Sequence, residues 1–156
     1  MSEAEMHGDE KLRKKFGTPD IPALAAIPED LVSFVESADF FFIATSGKAD
    51  ECDCSYRGKG QDMPAVKILD RKTMIFPHYL GNGSFRSLGN IIENPHIGML
   101  FIDFRSGLRV RINGDAEITE NAEWLKLFPH SLLTVKVTVR EAYKQNRPVE
   151  LPRKGE

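Results

Sequence analysis

Apolar and polar positions change period along the chain, and each change predicts an element. Ile27, Leu31, Phe34, Val35 and Ala38 recur at helical spacing behind Pro28-Glu29-Asp30, a proline and two acids suited to a helix start. From Asp39 the pattern becomes short runs of Val, Ile, Phe and Thr broken by turn residues, which predicts antiparallel strands. The candidate strands are Phe40–Thr45, Asp53–Arg57, Ala65–Leu69, Thr73–Pro77, Ile97–Phe104, Leu108–Thr119 and Leu132–Tyr143. Asp70-Arg71-Lys72 and Arg105-Ser106-Gly107 are the tight turns between neighbouring runs. Asn113-Gly114 is a strong hairpin signal, but alternation continues through Ala116 and Ile118, so a glycine bulge inside one long strand is expected there.

Two helices interrupt the strands. Ser84 is placed to cap one that carries Phe85, Leu88, Ile91 and Ile92 and stops at Asn94-Pro95. Glu120–Phe128, with Trp124, Leu127 and Phe128, is the other and ends at Pro129. Residues 1–20 are polar and close on Gly17-Thr18-Pro19-Asp20, a mobile or loosely packed lead-in to a single domain spanning 21–156. Strand spacing of this kind suits a small barrel better than alternating strands and helices of a parallel sheet.

Composition narrows the function classes. The 156 residues carry 21 Lys+Arg against 23 Asp+Glu, a net charge of -2, so no strong field selects nucleic acid as a partner. A chain this long buries roughly 70% of its unfolded surface without disulfide or metal staples. Its longest apolar runs, Phe40–Ala44 and Ile97–Ile102, fall far short of the ~20 residues that span a bilayer. The acidic N-terminus lacks the basic start and apolar middle of a signal peptide, which predicts a cytoplasmic address. The 2 Cys and 4 His do not follow metal-ligand spacings.

The chemistry concentrates in Leu80-Gly81-Asn82-Gly83-Ser84-Phe85-Arg86-Ser87-Leu88-Gly89-Asn90. A glycine-rich turn that enters a helix presents unpaired N–H groups and the positive end of the helix dipole, both attractive to phosphate. Arg86 adds a permanent two-pronged charge, while Asn82, Ser84 and Ser87 add neutral donors. An ordinary turn before a capped helix would have the same composition. In Leu108-Arg109-Val110-Arg111-Ile112 alternation puts both guanidinium groups on one face. They meet an anion there, or form a solvated face with Asp103, Asp115 or Glu117. Ser55 and Arg57 close a short strand where they either face a site or turn the chain. Lys67 points away from Val66 and Ile68, towards a ligand anion or water.

In their order, Ile43-Ala44-Thr45, Asp53-Cys54-Ser55-Tyr56-Arg57-Gly58, Ile68-Leu69-Asp70, Gly81-Asn82, Ser87-Leu88-Gly89-Asn90, Asn94-Pro95 and Arg109-Val110-Arg111-Ile112-Asn113-Gly114-Asp115-Ala116 form a recognisable text. From about Leu12 to Ile118 the chain resembles the flavin-binding split-barrel family named after pyridoxamine 5′-phosphate oxidase. The resemblance implies a mainly β fold with peripheral helices, a homodimer of six-stranded antiparallel split β-barrels, and FMN in two clefts at the interface. It implies cofactor contacts at Ser55, Arg57, Val66, Lys67, Asn82, Arg86, Ser87, Asn90, Arg109 and Arg111, with Arg86 on the phosphate and Arg109 approaching from the partner subunit. A lysine of the better-studied oxidases stands here as Ser87, and their C-terminal substrate-binding segment is not evident after Tyr143. The implied activity is an FMN-dependent oxidoreductase acting on a small molecule, with NADH or NADPH as possible electron donors. A non-catalytic flavin carrier or sensor, and a split barrel using deazaflavin or haem, are the alternatives.

Overall fold

The first run of alternation becomes β1 (Phe40–Ser46), with Phe41, Ile43 and Thr45 turned into the core. In the computed structural model, which describes residues 5–81 and 83–145, six further strands follow: β2 (Cys52–Gly58), β3 (Lys67–Asp70), β4 (Thr73–His78), β5 (His96–Ile102), β6 (Arg109–Thr119) and β7 (Leu133–Gln145). All pairings are antiparallel, in the spatial order β2-β1-β5-β6-β7-β4-β3.

Strands β2 and β3 are successive in the chain yet stand at opposite edges of that order. Laid flat, six strand spacings would hold them ~29 Å apart, a span that residues 59–66 would reach only when almost fully extended. A turn in which the Met63 N–H donates to the Gly60 carbonyl at 3.4 Å shortens the segment, so the sheet must curl. Side chains confirm the curl: Phe41 of β1 meets Phe76 of β4 with ring centroids 5.4 Å apart, although β5, β6 and β7 lie between them in the sheet. Phe41 also stacks on Phe101 of β5 at 5.0 Å, and these three rings occupy the barrel centre. The result is a barrel split between β2 and β3. The implied count of six strands is corrected to seven, because residues 59–66 interrupt the wall where a single strand would serve both edges.

The expected bulge is present, with a different owner. Register shifts between Asn113 and Gly114, but the extra residue is Arg140 on β7, opposite the glycine. Gly114 is needed for close approach, since a Cβ there would lie 2.3 Å from the Thr138 carbonyl oxygen.

Among the described residues, four α-helices decorate the barrel. α1 (Gly8–Phe16) lies in the stretch that the residue pattern left without an element, and none of its residues is buried. A 3-10 turn, Glu29–Leu31, leads into α2 (Val32–Glu36), which buries Val35 beside Leu31 and Ile27 as its spacing predicted. α3 (Arg86–Glu93) buries Ser87, Leu88 and Ile91, whereas Ile92 faces solvent, contrary to its expected place on the inner face. Ser84 is not its cap. Phe85 holds the N-cap position in a left-handed conformation, φ 50°, which starts the helix one residue later and leaves no side-chain cap bond. α4 (Ala122–Leu127) is capped by Asn121, whose side chain accepts from the N–H groups of Glu123 and Trp124. Among the described residues no helix is long and apolar enough to cross a membrane.

Candidate functional site

Alternation along β2 separates two sets of side chains. Cys52, Cys54 and Tyr56 are exposed on the outer face, while Asp53, Ser55 and Arg57 turn to the other side, where β2 meets the end of β4 and the first turn of α3. There they line a cleft of about 610 Å³ together with Ala65, His78, Tyr79, Gly81, Phe85, Arg86 and Ser87. The glycine turn enters it through two left-handed residues, Gly81 at φ 53° and Gly83 at φ 73°, conformations that glycine adopts without strain.

At the floor of the cleft Arg57 Nη1 lies 2.9 Å from His78 Nδ1. A guanidinium only donates, so Nδ1 is the acceptor and the imidazole proton sits on Nε2. Burial pushes the pKa of His78 down, and the charge of Arg57 pushes it further, so the ring is neutral near pH 7. Burial also lowers the pKa of Arg57, against the pull of Asp53, without discharging a guanidinium. The Arg57 guanidinium lies over the Phe76 ring, 5.9 Å from its centroid. Phe85 packs on His78 with ring centroids 5.0 Å apart, from a backbone conformation unfavourable for a bulky residue. Arg57 Nε and His78 Nε2 are buried donors without a protein partner, a costly arrangement that a ligand acceptor would relieve.

Ser87 Oγ donates to Asp53 Oδ2 at 3.0 Å and lies 3.2 Å from Ser55 Oγ, tying the first turn of α3 to β2. Arg86, on the same turn, is exposed at the rim.

The candidates divide three ways. Ser55, Arg57, Arg86 and Ser87 come together in this cleft. Arg109 and Arg111 share one face as alternation required, but that face is a separate depression of about 450 Å³ on the outer side of β1, β5 and β6, with Phe42, Ala44, Gly98 and Asn113. Arg111 lies over the Tyr143 ring at 5.2 Å, while Asp115, one of its expected acidic neighbours, is engaged by His96 and Arg140. Val66, Lys67 and Asn90 line neither surface. Val66 is in the core, Lys67 pairs with Glu36 at 3.6 Å, and Asn90 donates to Thr45 Oγ1 at 3.1 Å, pinning α3 to β1. Asn82 lies outside the described residues.

Two residues of the cleft escaped the sequence reading. Asp53 shares the period of Ser55 and Arg57 and was legible from it. His78 follows Pro77 directly before the glycine turn, but its pairing with Arg57, 21 positions away, had no local signal. Among the described residues no three His, Cys, Asp or Glu side chains gather as a metal site.

The sequence model of the pyridoxamine 5′-phosphate oxidase family matches residues 27–149. No curated protein matches the chain in sequence. Among solved structures, a putative pyridoxamine 5′-phosphate oxidase from Lactobacillus delbrueckii superposes with a TM-score of 0.60 at 16% identity, covering 77% of this chain and 95% of that one. An F420 reductase gives a TM-score of 0.52 at 20% identity, covering 76% and 98%. HutZ, the haem storage protein from Vibrio cholerae, gives 0.50 at 10% identity, covering 78% and 97%. At these identities the likeness is one of fold.

Proposed function

Because this chain belongs to the pyridoxamine 5′-phosphate oxidase family, we propose that the cleft between β2, β4 and α3 binds FMN and that the protein is a flavin-dependent oxidoreductase of a small molecule. The observation that carries this reading is the convergence of Arg57, Arg86, Ser55 and the first turn of α3 on one cleft. The residues present fit the cofactor: two guanidinium groups and a helix N-terminus suit a phosphate, and the buried donors Arg57 Nε and His78 Nε2 suit acceptor oxygens. Bound FMN supplies the electron or hydride transfer, with NADH or NADPH as the donor class. The chain binds and orients it. Arg57 fixes the tautomer of His78, and Phe76 and Phe85 shield the pair from water.

A homodimer completes the reading. Phe40, Phe42, Tyr56 and Phe104 form a ring cluster on the outer face, with Phe40 stacked on Tyr56 at 5.6 Å and on Phe104 at 6.0 Å. Tyr56 is 61% and Phe104 74% exposed, a contiguous apolar patch of the kind that marks protein interfaces. Arg109 and Arg111 lie on the same outer side, so pairing of two copies is the arrangement in which they serve a cofactor.

The test is the visible spectrum of the purified protein after FMN is added and excess is removed by gel filtration, with mass measured on the same column. A retained flavin band on a dimer is expected, and its absence overturns the proposal. The neighbours called an F420 reductase and a haem storage protein make deazaflavin and haem the competing ligands, and their absorption bands distinguish them in the same experiment. Bound FMN that neither NADH nor NADPH reduces would make the protein a carrier or sensor.

A further inference from the structure

The phosphate end of the cleft already contains an anion. Asp53 Oδ2 accepts from Ser87 Oγ at 3.0 Å, and Ser87 is the second residue of α3. A carboxylate only accepts, so the Ser87 proton is committed to Asp53, and Ser55, 3.2 Å from Ser87 Oγ, must donate its own proton to that oxygen. The hydroxyls of Ser55 and Ser87 are therefore turned along a relay ending on Asp53. The same carboxylate attracts Arg57. At a helix N-terminus a negative group is stabilising wherever it comes from, whether side chain or ligand.

Charge in the cleft agrees. Its charged side chains are Arg57, Arg86 and Asp53, while His78 is neutral beside the guanidinium. One net positive charge therefore faces a phosphomonoester that carries about -1.5 to -2 near pH 7. We propose that Asp53 is a built-in counter-anion, which stands at the first turn of α3 where a ligand phosphate would act and sets how strongly the site prefers a phosphorylated ligand over its unphosphorylated form. The inference rests on the reading of this cleft as the cofactor site. It makes Asp53 a selectivity residue: its charge competes with the ligand's, and its acceptor oxygen withholds Ser55 and Ser87.

Asp53→Asn keeps the acceptor for Ser87 and removes the charge. Affinities for FMN and riboflavin are compared by flavin fluorescence in the wild type, Asp53→Asn and Asp53→Ala. The expected result is tighter FMN binding in both variants, by about tenfold as for one screened charge contact, with riboflavin unchanged. FMN binding that is unchanged or weaker in the variants overturns the proposal. If neither flavin binds any of the three proteins, the cofactor reading falls and inorganic phosphate decides on Asp53. Phosphate must then raise the melting temperature of Asp53→Asn more than that of the wild type, and equal shifts reject the counter-anion.

Discussion

Arg57 and Arg111 are the same side chain on two strands of one barrel, and their surroundings make them different chemical objects. Arg57 is enclosed: its Nη1 meets His78, its plane covers Phe76, and its Nε is a buried donor without a protein partner. Arg111 is exposed, resting on Tyr143 in a shallow depression. An exposed guanidinium is satisfied by water and contributes little by itself, whereas an enclosed one with open valence favours a ligand acceptor. Sequence alone leaves both open: Arg57 faces a site or turns the chain, and Arg109 and Arg111 meet an anion or form a solvated face. Burial separates them.

The sharpest way to break this contrast is Arg57→Ala. It removes a charge-assisted contact from an enclosed site and strands the Nδ1 acceptor of His78. FMN affinity should fall by about 100-fold, near 2.7 kcal/mol, in a fluorescence titration. A loss smaller than that of Arg111→Ala would invert the assignment of the two regions. Gly114→Ala acts on the outer region through the backbone. The added Cβ meets the Thr138 carbonyl oxygen at 2.3 Å and Val137 Cγ1 at 3.1 Å, so β7 must move. Destabilisation of about 2–3 kcal/mol is expected, read as a lower melting temperature. Any FMN affinity measured below that temperature should be retained, because β2, β4 and α3 build the cleft without Gly114. An unchanged melting temperature would contradict the close approach. Arg111→Ala should weaken FMN by only about 3- to 10-fold, and only at protein concentrations where two copies associate. Equal affinity for both proteins at every concentration would remove Arg111 from the cofactor's surroundings.

Legibility in the sequence follows the range of the interaction. Strands β1, β5 and β6 were readable because one face of each is buried, which imposes period two on residues adjacent in the chain. The glycine turn and the position of α3 were readable from local turn chemistry. Helix α1 buries nothing, so it leaves no apolar stripe to read. Ser84 was the expected cap because no local signal marks Phe85 as left-handed; its ring packs on His78, outside the turn itself. The break at residues 59–66 disguises one barrel wall as two strands at opposite edges. Of the cleft, Ser55, Arg57, Arg86 and Ser87 were visible. The period of β2 places Asp53 on the face of Ser55 and Arg57, but its bond to Ser87 spans 34 positions and the pairing of His78 with Arg57 spans 21, so these partners meet only when β2, β4 and α3 are brought together.

The smallest effect separates the enclosed region from the open one by pH. Burial, then the charge of Arg57, holds the His78 pKa below its ordinary 6.5 in the folded protein. Protonation is therefore easier in the unfolded chain. Above the unfolded value His78 is neutral in both states and stability is flat with respect to it. As pH falls below about 6.5 the unfolded state takes up the proton first, and stability is lost with a slope of at most about 1.4 kcal/mol per pH unit for one group. That window is distinct from the one in which Asp9 and Asp103 act. Their hydrogen bonds, chiefly to Arg13 and to the Arg105 N–H, lower their pKa values below 3.8, so their contribution is lost only in stronger acid. Melting temperatures between pH 7.5 and pH 5 should fall more steeply for the wild type than for His78→Asn, which cannot take up the proton. Parallel curves would mean that His78 titrates as freely as a residue on the open face, and that the enclosure distinguishing Arg57 from Arg111 does not persist in solution.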